Sequence, residues 1–323
     1  MRILVTGATG FVGRYLCPLL AAQGYAVTAA VRSAPERGID GVETVVQVGE
    51  IGPDTAWRAA LEGQDAIIHL AARTHVMNET ETDSEAIYER INVGGTTGLA
   101  KAAAEAGVRR LIYLSSVKAL GESSGGEPLT EETLPAPEDA YGRTKREAEK
   151  MLLQIIETSN LEVVILRPPL IYGPGAKGNL LSLLRACDKG LPLPLGQIRN
   201  RRSLVNLENL ADAIVLCLDH PNAANEIFLI SDGEALSTPG LIQHICQGLG
   251  RPSRLLPFPV WGLRLAGKIL GKTDAIDRLT GSLEVSNAKI HQQLDWTPPV
   301  NMIQGFERTA EWYLNQRNRS KND

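Results

Sequence analysis

The stretch Ile3-Leu4-Val5-Thr6-Gly7-Ala8-Thr9-Gly10-Phe11-Val12-Gly13 constrains the fold more than any other part of the 323 residues. Ile3 to Val5 is a short strand of the buried type. Arg14 to Gln23 predicts a helix that ends at Gly24. Between them lie glycines at 7, 10 and 13. Gly7 permits a tight turn, Gly10 a close approach of ligand to backbone, and Gly13 close packing of helix on strand. Such a turn brings backbone N–H groups and a helix N-terminus onto a pyrophosphate. The spacing differs by one residue from G-x-G-x-x-G, and taken alone it also fits an ordinary strand-to-helix loop. The strand–turn–helix context favours dinucleotide binding.

The rest of the first half alternates strands with helices. Strands are expected at Ala26–Val31, Val42–Val48, Asp65–Ala72, Leu111–Leu114 and Leu161–Leu166, and helices at Ala56–Glu62, Glu85–Ala106 and Ala140–Ile156. This alternation predicts an α/β fold with a doubly wound parallel sheet, whose ligands sit at the carboxyl ends of the strands. The glycine turn, Ala71-Ala72, Ser115-Ser116 and Pro168-Pro169 all fall at such ends. The second strand closes on Val31-Arg32-Ser33, where the acidic partner of an NAD ribose usually stands. A guanidinium there suits a 2′-phosphate and so favours NADP, although an Arg32 stacked on adenine admits both cofactors. His69 lies inside a strand and is assigned to the core. Arg73 and His75 follow in the loop, where they could meet substrate or phosphate.

Beyond Pro169 the chain turns irregular. Residues 171–203 and 232–315 form the expected smaller substrate-binding part, with 204–231 returning in part to the 1–170 domain and 316–323 a frayed polar tail. Leu207–Leu218 is expected as a helix and Glu226–Ile230 as a strand of the larger sheet. Leu255–Leu270 is the longest apolar run, but Arg264 and Lys268 interrupt it. It suits a packed amphipathic helix, or an interfacial one, rather than a membrane span.

Tyr141 and Lys145 stand four residues apart, on one face of the expected helix at 140–156. An ammonium beside a phenol favours the phenolate, so the pair is expected to hold a phenol ready for proton transfer near neutral pH. Pro135, Pro137, Glu138 and Asp139 supply the turn and cap before it. Net charge is −4, which gives nucleic acid no overall basic surface to bind. Cys17, Cys187, Cys217 and Cys246 have no metal-ligand spacing and are expected as reduced thiols, in keeping with a cytoplasmic protein. No metal site is expected, and Met1-Arg2 runs into a strand without a signal peptide.

Taken together, Thr6-Gly7-x-x-Gly10-x-x-Gly13, Ser116, Tyr141-x-x-x-Lys145 and Leu294-Asp295-Trp296-x-Pro298 resemble the extended short-chain dehydrogenase/reductases of the NAD-dependent epimerase/dehydratase group, over nearly the whole chain. The resemblance implies a Rossmann-type domain and catalysis by three residues. Ser116 would hydrogen-bond the reacting oxygen, Tyr141 would be the acid/base, and Lys145 would hold the nicotinamide ribose. It further implies that Gly7, Gly10, Phe11, Val12, Gly13, Leu70, Ala71, Ala72, Asn92 and Pro169 contact the dinucleotide, with Glu50 and Ile51 at the adenine. The family usually has Asp where Glu50 stands. Asn179, Arg202 and, by a looser alignment, Arg278 match contacts to a nucleotide diphosphate. A homodimer through 85–106 and 140–158 is the family's habit.

Dehydratases of this group carry Asp-Glu after the catalytic hydroxyl residue, and here Val117-Lys118 stand there. The Cys–His pair of the 3,5-epimerase/reductases has no counterpart around Cys187. What the resemblance leaves is redox at C4 of a nucleotide hexose. Leu120-Gly121, in place of the usual Tyr-Gly, and Arg32 favour a reductase of a UDP-4-keto-6-deoxy-N-acetylhexosamine in surface-polysaccharide synthesis. The alternative is a UDP-glucose or UDP-N-acetylglucosamine 4-epimerase with tightly held NAD. A non-catalytic dinucleotide-binding protein is a remote third, since Ser116, Tyr141 and Lys145 are all present.

Overall fold

The computed structural model describes residues 1–74 and 81–322; His75 lies outside them. Seven parallel strands form the larger sheet: β1 Arg2–Thr6, β2 Ala26–Val31, β3 Thr44–Gln47, β4 Ala66–His69, β5 Arg110–Leu114, β6 Glu162–Arg167 and, after two strands that belong elsewhere, β9 Ile227–Leu229. Their spatial order is β3-β2-β1-β4-β5-β6-β9. The order reverses between β1 and β4, which pair directly from Ile3–Ala66 to Thr6–His69. A doubly wound sheet opens its ligand crevice at that switch point, beyond the carboxyl ends of the strands.

Alternation along each strand sends side chains to two buried faces. Ile3, Val5, Ile68, Ile112 and Val164 pack against the helices at Phe11–Ala22 and Leu207–Asp219. Leu4, Ile67, Leu111, Tyr113 and Val163 pack against those at Thr96–Glu105 and Ala140–Ile156. Arg143 to Ile156 therefore lies flat under the sheet, and the N-terminus of its helix, with Tyr141, projects toward the crevice end.

The strands β7 Leu170–Tyr172, β8 Arg202–Asn206 and β10 Ala235–Leu236 form a second small sheet in the order β10-β8-β7. A separate core around Tyr172, Leu184, Ile245 and Phe306 lies beside it. Within 204–231, Leu204–Asn206 pair with β7, and the helix from Leu207 packs on the larger sheet. β9 then joins β6 in parallel. All four cysteines are buried and free.

Two elements differ from the sequence expectation. The helix expected over 85–106 starts at Glu81 and is π-helical over Glu89–Gly95 before turning α-helical at Thr96. Gly95 lies so close to Ile51 that a Cβ there would fall 2.4 Å from its Cγ2, so the wider turn accommodates the chain carrying Glu50 and Ile51. The last helix runs from Met302 to Asn322, where a frayed tail was expected from Gln316. Arg317 anchors it by donating to both oxygens of Asp188 at 2.7 Å.

Candidate active site

The glycine turn forms a cradle. Gly7 has φ +73°, and a Cβ on it would lie 2.8 Å from the Ala71 nitrogen. A Cβ on Gly13 would lie 2.3 Å from the Gly7 carbonyl oxygen, so this contact admits no side chain. Gly10 N–H closes the turn onto Gly7 O at 2.9 Å. Gly10 is also the N-cap of the Phe11–Ala22 helix, and no side chain caps that end. The first-turn N–H groups therefore remain available to an anion. Behind the cradle, Thr6 Oγ1 accepts from Ala71 N–H at 3.2 Å and meets His69 Nδ1 at 2.7 Å. His69 is in turn 3.0 Å from Thr96 Oγ1. Burial pulls its pKa down to about 3, helped by the charge of Lys145, so it is a neutral core residue.

The region around the end of β2 and Glu50 is rich in cations. Glu50 pairs with Arg90, and its carboxyl is held below the usual range by that hydrogen bond and charge, with Arg32 and Arg73 contributing. Arg32 is exposed at the end of β2. Asn92, on the π-helical turn, accepts from Arg73 N–H at 2.8 Å and donates to Arg73 O at 3.1 Å and Thr144 Oγ1 at 3.2 Å. It thus ties the loop after β4 to the Ala140–Ile156 helix.

Ser116, Tyr141 and Lys145 meet at the end of β5. Ser116 N-caps a short turn, accepting from Lys118 N–H at 3.2 Å. Tyr141 hydrogen-bonds the Ser116 side chain. Lys118 holds this loop against the helix start: its Nζ donates to Asp139 Oδ2 at 2.6 Å and to Glu122 Oε1 at 2.9 Å. Asp139 caps the helix through Gly142 N–H at 2.7 Å. A Cβ on Gly142 would lie 2.4 Å from Lys118 O, so glycine after Tyr141 lets the helix end touch the loop. On the far side, Val117 N–H donates to Pro168 O at 3.0 Å, which brings Pro169 beside the same turn.

The electrostatics of the pair differ from the expectation that Lys145 lowers the Tyr141 pKa. Part of the Tyr141 surface stays open, yet its phenol is enclosed by protein. Burial pushes it up, the Asp139 carboxylate adds to this, and the Ser116 hydrogen bond works against it. Lys145 Nζ stands 5.9 Å from the Tyr141 ring centre, 4.5 Å from that of Tyr113, and donates to Leu114 O at 2.7 Å. Burial brings its pKa down to about 7, with Glu149 opposing. The ammonium is thus directed into the protein and weakened by desolvation. Because the folded-state pKa lies below the unfolded value of about 10.4, unfolding takes up a proton between the two. The cofactor-free protein should gain stability relative to Lys145→Met as pH rises from about 7 toward 10, and thermal melts of the two proteins across that range test this. A pH-independent difference contradicts it.

One turn beyond Lys145, Glu149 is fully buried. Its oxygens accept from Ser115 Oγ at 2.6 Å, from Arg167 Nε at 2.8 Å and Nη2 at 2.7 Å, and from Arg146 Nη1 at 3.1 Å. These bonds fix the helix of Tyr141 and Lys145 to the ends of β5 and β6. At the start of β8, Arg202 Nη1 donates to Arg278 O at 2.9 Å and Gly281 O at 3.1 Å. The two guanidinium-bearing residues are close enough for each to feel the other's charge, and Arg202 is lowered mainly by burial. Asn179 is exposed near the start of the Gly178–Asp188 helix. Among the described residues no group of three or more His, Cys, Asp or Glu could hold a metal.

The NAD dependent epimerase/dehydratase family model matches residues 3–231. The chain belongs to this family. A UDP-glucose 4-epimerase of Vibrio cholerae is 44% identical over 320 residues, covering 98% of this chain and 97% of that protein. The fold is shared with MoeE5 solved with UDP-glucose and NAD, at TM-score 0.78 and 24% identity, covering 98% of this chain and 100% of that one. It is shared also with a UDP-glucose 4-epimerase of Thermotoga maritima solved with UDP-glucose, at TM-score 0.79 and 22% identity over 98% and 100%. The protein is therefore an NAD-type enzyme of the epimerase/dehydratase family on a Rossmann-like α/β fold, and among its described residues no helix is long and apolar enough to cross a membrane.

Several residues that shape the family site here escape motif reading. Lys118, Gly142, Glu149 and Arg167 each help fix the position of Ser116, Tyr141 or Lys145. Glu149 had a usable signal, since it lies a further four residues along the face that carries Tyr141 and Lys145. Arg167, the last residue of a buried strand, had another, because a charge in that position needs a partner.

Proposed function

We propose that the chain is a nucleotide-sugar 4-epimerase. Ser116, Tyr141 and Lys145 would be its catalytic residues, and NAD would lie along the Gly7–Gly13 turn, Leu70–Ala72, Asn92 and Pro169. The observation that carries this reading is the Ser116–Tyr141 hydrogen bond at the crevice, with Lys145 one turn behind and no further acid or base at Val117-Lys118. Lys118 is occupied by Asp139 and Glu122. The site can thus move one proton at one oxygen, which suits exchange between an alcohol and a ketone. The bound nicotinamide would supply the hydride acceptor and donor. Ser116 would orient the C4 oxygen, Tyr141 would take and return its proton, and Lys145 would hold the ribose. Arg202, Arg278 and Asn179 would bind the diphosphate. The full-length likeness to the Vibrio cholerae UDP-glucose 4-epimerase supports an epimerase acting on UDP-glucose over the ketoreductase expected from sequence. The test is purified protein with UDP-glucose and no added cofactor. Copurified NAD and formation of UDP-galactose are expected. Cofactor-free protein that consumes NADPH only with a UDP-4-keto-6-deoxyhexosamine overturns the epimerase.

That ketoreductase remains the second reading, and Arg32 favours it. The exposed guanidinium at the end of β2, near Arg73 and Arg90, suits the 2′-phosphate of an exchangeable NADPH. Arg32→Asp is expected to weaken NADPH binding roughly 10- to 100-fold relative to NADH. Fluorescence titration with both cofactors measures this, and equal losses for both would assign Arg32 to the adenine instead. We also expect a homodimer through 85–106 and 140–158, which the Arg143–Glu85 ion pair of 2.8 Å joins into one surface. Gel filtration with light scattering gives its mass.

A further inference from the structure

The Val260–Ile269 helix is mounted the reverse of an ordinary amphipathic helix. It packs inward through Leu263 and two glycines. A Cβ on Gly262 would lie 2.8 Å from Phe258 Cε1, and one on Gly267 would lie 2.7 Å from Ile276 Cγ1. Its largest apolar side chains point out. Trp261 is 71% exposed, Leu265 53% and Ile269 75%, and Leu270 just beyond is 69% exposed. Trp261, Leu265 and Ile269 recur every four residues, so they form one stripe along the helix. Leu256 and Phe258, at 49% and 40%, extend the apolar surface before the helix begins.

Charge identifies what this stripe meets. Arg264 and Lys268 are exposed one position before Leu265 and Ile269, so they line one edge of the stripe, and Lys272 follows the helix. From Ala235 to Thr273 there is no Asp or Glu, while Arg251, Arg254, Arg264, Lys268 and Lys272 are all present, in a chain whose net charge is −4. Aromatic and aliphatic side chains beside Lys and Arg are the composition of helices that lie in the headgroup layer of a bilayer. The helix has 10 residues, too few to span one. The surfaces expected to pair two copies, 85–106 and 140–158, belong to the larger sheet's helices and do not include it.

We propose that this helix docks the protein peripherally on an anionic phospholipid surface, inserting Trp261, Leu265 and Ile269 while Arg264, Lys268 and Lys272 meet the headgroups. The adjoining helix, Thr273–Thr280, carries Arg278, whose carbonyl Arg202 holds. Docking would therefore place the membrane beside the substrate-binding part of the chain. This inference does not depend on which reaction the site performs.

The test is co-sedimentation of the full chain with vesicles of phosphatidylcholine alone or mixed with phosphatidylglycerol. The wild-type chain should pellet with the mixed vesicles, less so as salt is raised, and should stay in solution with phosphatidylcholine. Trp261→Ser/Leu265→Ser/Ile269→Ser should abolish pelleting and leave turnover of a water-soluble substrate unchanged. Arg264→Ser/Lys268→Ser alters no apolar residue and should weaken vesicle binding roughly thirtyfold, at about 1 kcal/mol per cation. The proposal is overturned if the wild type ignores phosphatidylglycerol, if both variants bind as it does, or if the triple serine variant halves the mass of the protein in gel filtration. That last result would mean that a second copy covers the stripe.

Discussion

Tyr141→Phe is expected to lower kcat by roughly 10²- to 10⁴-fold, the usual contribution of a placed acid/base, while dinucleotide binding is retained. The substitution removes the phenol oxygen and nothing else. The ring's packing, the Gly142–Lys118 contact and the Asp139 cap would all remain. Stopped turnover with an undiminished NAD signal on binding is the expected pair of results. Burial raises the Tyr141 phenol, so the free enzyme keeps it protonated at neutral pH. In this state it is a donor, which in the proposed reaction suits protonation of the C4 oxygen as a ketone is reduced. The opposite step needs a neighbouring positive charge, and Lys145 is held at Leu114 O, 5.9 Å from the ring centre. Turnover surviving in Tyr141→Phe would assign the proton transfer to another group.

The second large effect is on stability. Glu149→Gln is expected to destabilise the fold by about 3–5 kcal/mol, because it leaves the buried Arg167 guanidinium without a counter-charge. Arg167 is 1% exposed and Glu149 fully buried, so water cannot take the place of the lost carboxylate. Glutamine's single carbonyl oxygen can still accept from Ser115 and one Arg167 nitrogen, but its amide nitrogen only donates. Glutamine cannot accept from Ser115, both Arg167 nitrogens and Arg146 with the strength of a charged group. The melting temperature should fall by roughly 4–7 °C for a loss of this size in a chain of 323 residues. A shift within a degree of the wild type would mean that Arg167 is already solvated or paired elsewhere. Replacing Glu149 and Arg167 together by Leu and Met should recover much of the loss, since buried pairs often contribute little against an apolar filling.

The order of strands and helices in the larger sheet was legible because each obeys one strong local rule. β1, β4, β5 and β6 are short runs of β-branched and aliphatic residues, and the glycine turn fixes how the first one leaves the sheet. The π-helical turn was not legible. Glu85 to Ala106 reads as one helix despite Gly94 and Gly95, and the close approach of these glycines to Pro53 and Ile51 is a tertiary feature. Asn92 gains its role there from tertiary contact alone. The site showed the same division. Tyr141 and Lys145 could be paired from type and spacing, and Ser116 was added by the family resemblance; the three converge at the end of β5. The strength of each charge could not be read this way, because burial acts through atoms distant in sequence. Spacing predicted an ammonium acting on a phenol, whereas the fold turns that ammonium toward Leu114 and Tyr113. The outward face of the Val260–Ile269 helix was equally hidden. Its periodicity is the same whether the stripe points in or out, and only the packing at Gly262 and Gly267 decides.

In the epimerase proposed above, a hydride leaves and returns at C4. UDP-glucose deuterated at C4 tests it in one experiment, with the protein as purified and ordinary water as solvent. The expected product is UDP-galactose that keeps its deuterium at C4, as proton NMR reads directly. UDP-galactose carrying solvent hydrogen at C4, or no UDP-galactose at all, would contradict that proposal.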